Sequence, residues 1–455
     1  MCFGAVRKQN RMPKQCVSAP YVNKIGCRNN SAMKSFSKKL FFYLILLVML
    51  AAFIFIVAEY FARYMVYEQG KYLSIIDHTY YSKLTEKDPP YQFEKRFYTF
   101  DTNCGWLQTP ANRGIFRGFT YPKAEFRNKI EINSLGFRSS SEYGIDRNKV
   151  RIAMLGDSFL QALQVSEKES LPKVIEHELL SSHQDVRVYN FGVSSTGTVH
   201  QYQIFFNKAL KIKPDIVILL FFPNDLIDNS PHYQHESNML IPRYAQEPDG
   251  SVSIKDFSDT PPADVQIKYR FASGKPTALR TTIENIGNFA QKKCHLVFLK
   301  FFSLFISDMF IPTSDYDASF DVYKKEYPEF LKESVITTVR LIKQLDSFCK
   351  VNGIKFLVVF IPAKEQFNQR DWDAYVRTQR RILKKDMFDT DIPTTVMKNA
   401  LTELKIHNLD LLPLFKKSYK NENLYYAKDL HFNPKGHQRA GEIIAKFLLT
   451  ENLRE

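Results

Sequence analysis

Four short clusters hold the residue types that acyl chemistry needs. Gly156-Asp157-Ser158 closes the apolar run VRIAMLG that begins at Val150. Asn190-Phe191-Gly192 closes a second apolar run, Pro223-Asn224-Asp225 a third, and Asp429-Leu430-His431 lies in the last loop before a helical pattern. A serine hydroxyl attacks a carbonyl only when a base takes its proton, and a histidine near neutrality is the usual base. That histidine needs a carboxylate to fix its tautomer. The oxyanion that forms needs donors already in place. The amide of Ser158, the amide of Gly192 and the side-chain amide of Asn224 are three candidates, and a glycine at 192 removes the Cβ that would block close backbone approach to a substrate. Taken alone, Gly-Asp-Ser is also an ordinary strand-to-helix turn with Ser158 as the cap.

These clusters need a scaffold that gathers them, and the hydrophobic pattern supplies one. From Val150 onward, strands alternate with helices. Strands are predicted at 150–156, at 186–191 (VRVYNF), at 215–222 (DIVILLFF, apolar throughout as a central parallel strand is), at 355–361 (KFLVVFI) and, more briefly, at 407–411. Helices are predicted near 171–180, 200–210 and 335–350, and a last one follows Asn433-Pro434, a cap with proline in the first helical position. This alternation predicts a parallel sheet with helices on both faces. The first three clusters then fall at carboxyl ends of strands, where open α/β sheets place their sites. Residues 97–141 are short-segmented and turn-rich, with Ile130 and Ile132 alternating with polar residues, and are expected to form a small β-rich lead-in packed on the main domain. Within it, Arg138 is in reach of a site, although an ion pair is the commoner fate of such a residue. Residues 228–328 interrupt the alternation without strands of their own and include HLVFLKFFSLFISDMF at 295–310, too short to span a bilayer. That stretch reads as a core or cap helix, as a lid over an acyl or glycan groove, or as an interfacial helix on the bilayer. Lys364 and Gln366 follow a strand end and are weighed as substrate contacts. His437 is expected to be an ordinary surface or packing residue on the last helix.

Charge and composition exclude other classes. Residues 1–40 hold nine of the 63 Lys/Arg and no acid, so they account for +9 of the formal +15. The remainder is only mildly basic, without the aromatic-basic interleaving that binds single strands, so no nucleic-acid partner is expected. No metal-ligand cluster stands out, and no cofactor is implied. Residues 40–58 (LFFYLILLVMLAAFIFIVA) are apolar without a break, close to the roughly 20 residues that span a bilayer as a helix. Lys34, Lys38 and Lys39 just precede them, which by the positive-inside rule keeps the N-terminal side cytoplasmic. Residues 1–39 are expected to be a basic, disordered cytoplasmic tail, with Met33-Lys34-Ser35 resembling a start of translation. Cys104, Cys294 and Cys349 lie beyond the apolar run; three thiols allow one disulfide, which the sequence does not assign.

The ordered set of clusters resembles the SGNH (GDSL) hydrolases. Gly156-Asp157-Ser158-Phe159 matches the first block of that family, Asn190-Phe191-Gly192 the second, Pro223-Asn224-Asp225 the third and Asp429-Leu430-His431 the last, in family order over about residues 150–450. Asn133-Ser134-Leu135-Gly136-Phe137-Arg138 also looks like a segment found before the serine block in bacterial, membrane-tethered members. The resemblance implies a flavodoxin-like three-layer sandwich with a central parallel sheet, preceded by one transmembrane helix. It implies Ser158 as nucleophile, His431 as base, Asp429 as its orienter, and Ser158, Gly192 and Asn224 as oxyanion donors. The family commonly spaces its acid and base as Asp-x-x-His, whereas this chain has Asp-x-His, a spacing familiar in related acetyltransferases. The expected organisation is therefore a tail (1–39), an inner-membrane anchor (40–58), a linker and lead-in (59–149) and a periplasmic SGNH domain (150–455) with its insertion at about 228–328. The expected activity is that of a serine esterase or O-acyltransferase acting on an ester, O-acetyl above all, of a cell-envelope glycan or lipid. The rival expectations are a lipase-like hydrolase and a non-catalytic envelope-binding scaffold on the same fold.

Overall fold

The computed structural model describes residues 25–63, 91–118, 124–230, 244–254, 318–378, 387–427 and 429–451. It divides into two compact units, Met1–Ala62 and Arg63–Glu455. In the first, a single helix runs over Ile25–Arg63. Within it, Lys39–Phe61 is 23 residues long, with a mean hydropathy of 3.1, and is long and apolar enough to cross a membrane. Residues 25–39, expected as unstructured tail, are instead helical and continuous with the apolar run.

The second unit is built on a five-stranded sheet. Its strands are β6 (Val150–Gly156), β7 (Val186–Gly192), β8 (Ile216–Phe221), β11 (Lys355–Phe360) and β12 (Asn408–Asp410). They lie in the order β12-β11-β8-β6-β7, each pair parallel. The chain starts in β6, steps to β7 on one side, then returns across β6 to β8 on the other. That reversal is the flavodoxin-like order, and it opens a crevice between the carboxyl ends of β6 and β8. The central strands are apolar apart from Arg151 and Lys355 near their starts, because both faces are covered. Leu155, Leu219, Phe221 and Phe360 face a layer that contains the helices Thr198–Asn207 and Glu329–Val351. Met154, Ile218, Leu220 and Val359 face the opposite layer, with the helices Leu171–Ser181 and Pro434–Thr450. Alternate side chains of a strand point to opposite faces, so one apolar run feeds two cores.

Before this domain come five short strands: β1 (Tyr91–Phe93), β2 (Tyr98–Asp101), β3 (Gly105–Gln108), β4 (Arg113–Arg117) and β5 (Arg127–Glu131). They form a three-stranded antiparallel sheet, β1-β4-β5, and a hairpin, β2-β3. The interruption at 228–328 is not free of strands: β9 (Tyr244–Gln246) and β10 (Val252–Ile254) pair as an antiparallel hairpin. Its Gln246 Nε2 donates to Thr337 Oγ1 at 3.0 Å, and Val252 N donates to Gln344 Oε1 at 2.7 Å, so it is fixed to the helix Glu329–Val351. The apolar stretch 295–310 lies outside the described residues. Cys104 and Cys349 are buried free thiols, and burial pushes each up to about 12.

Candidate active site

Ser158 stands where β6 ends. Asp157, and not Ser158, caps the four-residue helix Ser158–Gln161: its Oδ1 accepts the N–H of Phe159 at 2.9 Å. The helix stops at Ala162, which is left-handed at φ 54°. Phe159 is buried between Phe222 and Phe432, and this anchors the turn that presents the preceding hydroxyl.

His431 arrives from the other end of the chain on a loop closed by a bridge between Tyr425 and Phe432. Phe432 is fully buried against Phe159, Phe415 and Tyr425, so the residue before it has little freedom. The imidazole lies 4.9 Å from the Phe159 ring, centroid to centroid. Its Nε2 is 2.8 Å from Ser158 Oγ, and its Nδ1 is 2.6 Å from Asp429 Oδ1. Asp429 Oδ1 also accepts the backbone N–H of His431 at 2.9 Å. This is an Asx-type turn, and it explains how an Asp-x-His spacing works: one carboxylate oxygen serves both the main chain and the ring two residues on. Burial alone would lower the His431 pKa, but the Asp429 carboxylate, with Asp157 beyond it, outweighs that and holds it above the ordinary histidine value. Burial would raise Asp429; the charge and hydrogen bonds of His431, with Lys364 nearby, keep it below the ordinary carboxylate value instead.

The third and second clusters sit at the ends of β8 and β7. Asn224 is half-buried and directs Nδ2 at Asp228 Oδ2, 3.1 Å away. Around it lie three carboxyls in a poorly hydrated setting. Asp157 and Asp225 are raised, chiefly by burial, and Asp228 is pushed up to about 8 by burial and the nearby Asp157. The expectation for Gly192 needs correction. Its amide is engaged by Asn190 Oδ1 at 2.8 Å. A Cβ at this position would lie 2.4 Å from the amide nitrogen of Gln161 and 2.7 Å from the carbonyl carbon of Leu160. The missing side chain makes room for the serine-bearing helix rather than for a substrate. Farther along that loop Ser195 is left-handed at φ 59°.

Several residues weighed from the sequence have structural partners. Arg138 is buried, and among the described residues it makes no carboxylate pair. Its guanidinium donates to the carbonyls of Gln161 at 3.1 Å and Val165 at 2.6 Å, and to that of Ala162. It thereby clamps the turn that follows Ser158. Lys364 Nζ donates to the carbonyls of Tyr426 at 2.7 Å and Ala427 at 2.8 Å, just before Asp429. Gln366 Oε1 caps the Ala363 amide at 2.8 Å. His437 is buried on the last helix beside Phe432; burial, with Arg138 and His431 nearby, drives its pKa down to about 3, so it stays neutral. Among the described residues no group of His, Cys, Asp and Glu could hold a metal ion.

Two contributors escaped the sequence reading. Glu125 of the lead-in accepts the Asp429 N–H at 2.9 Å. Gln164 places its Nε2 3.0 Å from His431 Nδ1. Neither is near its partner in sequence, and neither type is distinctive on its own.

A parallel sheet in flavodoxin-like order, with a serine, a histidine and an aspartate in hydrogen-bonded series over its crevice, defines an α/β enzyme of the ester-cleaving or acyl-transferring class. Residues 324–455 match a family described as the SGNH hydrolase-like domain of the acetyltransferase AlgX. Over those residues the chain is similar to an SGNH hydrolase-like domain, and its site is of the serine hydrolase or O-acyltransferase type. Among solved structures, a lipase/acylhydrolase from Enterococcus faecalis is 12% identical over 66% of this chain and 96% of its own, with a TM-score of 0.33. The psychrotrophic esterase EstA from Pseudoalteromonas sp. is 11% identical over 68% of this chain and 100% of its own, with a TM-score of 0.31. A GDSL-like lipase from Bacteroides thetaiotaomicron is 9% identical over 69% and 91%, with a TM-score of 0.30. No curated protein sequence matches the chain.

Proposed function

We propose that this protein is a membrane-anchored enzyme that removes or transfers an O-acyl group, acetyl above all, on a cell-envelope glycan or lipid. Ser158 is the nucleophile, His431 the general base and Asp429 its orienter. The observation that carries this reading is the unbroken series Ser158 Oγ, His431 Nε2 at 2.8 Å, His431 Nδ1 and Asp429 Oδ1 at 2.6 Å. As Ser158 Oγ bonds to the acyl carbon, its proton passes to His431 Nε2, and Asp429 stabilises the resulting imidazolium. The oxyanion is met by the Ser158 amide, at the start of its short helix, and by Asn224 Nδ2. When the tetrahedral species collapses, the alcohol leaves with the proton from Nε2 and the acyl group stays on Ser158. A second acceptor, water for hydrolysis or a glycan hydroxyl for transfer, then gives its proton to His431 and takes the acyl group, and His431 returns that proton to the departing Ser158 Oγ. Acetyl as the group is supported by the match to an acetyltransferase domain. Anchoring by residues 40–58, with the enzyme domain on the periplasmic side of the inner membrane, is supported by the apolar helix and by Lys34, Lys38 and Lys39 before it.

A fluorophosphonate probe tests the chemistry, and a pair of esters tests the acyl group. The full chain is expected to label on one serine and to lose all labelling in Ser158→Ala. It is expected to turn over nitrophenyl acetate well and a nitrophenyl ester of a long acyl chain poorly. Undiminished labelling in Ser158→Ala excludes this serine as the nucleophile. A preference for the long chain favours a lipase-like activity.

A further inference from the structure

We propose that Gln164 is a positioning residue that shares the Nδ1 proton of His431 with Asp429 and so helps to hold the imidazole in its reactive tautomer. The proposal rests on the assignment of His431 as the base.

The amide of Gln164 lies 3.0 Å from Nδ1, and the nearer oxygen of Asp429 lies 2.6 Å from the same nitrogen. For Nε2 to accept the Ser158 proton, Nδ1 must carry its own. A proton on Nδ1 points at acceptors. Asp429 is one, and an amide NH2 beside the same N–H sets donor against donor. Half a turn about the last side-chain bond exchanges the two ends of the amide. The carbonyl oxygen of Gln164 then faces Nδ1–H and gives the ring a second acceptor. That acceptor gains strength as the ring becomes positive.

The surroundings of Gln164 are built to hold it there. Its side chain is buried, and with Nε2 toward the ring Oε1 has no partner among the described residues. The fold thus carries a buried polar end that an apolar residue of that size would avoid, a feature that marks functional positions. Its main chain is fixed on both sides. The Tyr426 hydroxyl donates to the Gln164 carbonyl at 2.8 Å. The Arg138 guanidinium holds the carbonyls of Gln161, Ala162 and Val165. Tyr426 itself belongs to the histidine loop, where its N–H donates to the His431 carbonyl at 3.2 Å. The glutamine and the ring are therefore tied to one framework and cannot drift apart independently.

Other charges also bear on the ring. Asp429 and Asp157 favour its cation. His437, on the last helix, is neutral. Lys364 stands near Asp429, and Glu125 binds its amide. None of these except Asp429 touches Nδ1, so a change confined to residue 164 reads out on the second acceptor.

The test is the pH dependence of kcat/KM for nitrophenyl acetate with the full chain, with fluorophosphonate labelling run alongside. Gln164→Leu removes the acceptor. Its kcat is expected to fall by about tenfold with KM nearly unchanged, and its acid limb to move to lower pH, because the imidazolium has lost a stabilising partner. Gln164→Glu keeps the shape and adds charge; its acid limb is expected to move up by about one pH unit or more. Opposite displacements in the two variants do not arise from a purely structural role. If the acid limb stays in place in both variants while Ser158 still labels, the role of Gln164 is overturned and the base assignment stands. If Ser158 does not label in the unaltered chain, both fall.

Discussion

Asn224 illustrates how one side chain can meet two demands. Its Nδ2 carries two protons, and the geometry gives one of them to Asp228, 3.1 Å away. The Asn224 side chain also hydrogen-bonds Asp157, and in the proposed mechanism it turns to the developing oxyanion at the carboxyl end of β8. Asp228 accepts its hydrogen bond from within a group of carboxyls, where burial and the nearby Asp157 push its pKa up to about 8. Asn224→Ala is expected to lower kcat by on the order of 10²–10³ while KM changes little, because the lost bond strengthens only in the transition state. Steady-state kinetics on nitrophenyl acetate decide it. A rise in KM with kcat intact would move Asn224 from oxyanion stabilisation to substrate binding. At this scale the sequence was informative where a residue type is rare and chemical. Ser158, His431 and Asp429 stood out by type and order, and the structure brings them into contact. Gln164 did not stand out, because it lies 267 residues from the histidine it touches and only tertiary packing relates the two.

The elements that carry these residues are short, and each is held by something large. The serine-bearing helix has four residues, too few to be stable alone, and it persists because Phe159 is buried and the backbone of β7 lies directly beneath it. Gly192 is the point of contact. Gly192→Ala would thrust a methyl group into the backbone at Leu160 and Gln161, with no flexible side chain to give way. It is expected to destabilise the protein by about 1–3 kcal/mol and to lower turnover by displacing Ser158. Thermal unfolding and ester turnover measure the two effects; if both are unchanged in the alanine variant, the close approach is not a constraint. The strands of the main sheet and four of its helices were legible from pattern, since β6, β8 and β11 each hold a run of four or more apolar residues, whereas the helices Gln369–Thr378, Ile392–Glu403 and Leu411–Ser418 were not. The hairpin β9-β10 was not. Three-residue strands such as YAQ and VSI carry no period, and they form because the helix Glu329–Val351 offers hydrogen-bonding partners.

At the scale of the whole molecule, the lead-in is part of the site's construction. Arg138 grips the turn after the serine, Gln108 Nε2 donates to the Gly192 carbonyl at 3.0 Å, and Glu125 receives the Asp429 amide. One small β-rich region thus braces the ends of three separate segments. The motif Asn133–Arg138 was recognisable as a resemblance, but its purpose was not, because a buried arginine held by carbonyls leaves no charge pattern in sequence. The proposed topology is tested with reporters: alkaline phosphatase fused after residue 100 is expected to be active, and a fluorescent protein that folds only in the cytosol is expected to be dark. The reverse pair would turn the anchor round. The connectivity also has a consequence for timing. Ser158 and His431 are 273 residues apart, and Glu125 and Asp429 are 304 apart. Chains emerge from the ribosome N-terminus first at about 5–20 residues per second, so the nucleophile waits on the order of tens of seconds for its base. On the proposed roles of Ser158 and His431, a nascent chain holds a serine without its base until the segment around Phe432 is made.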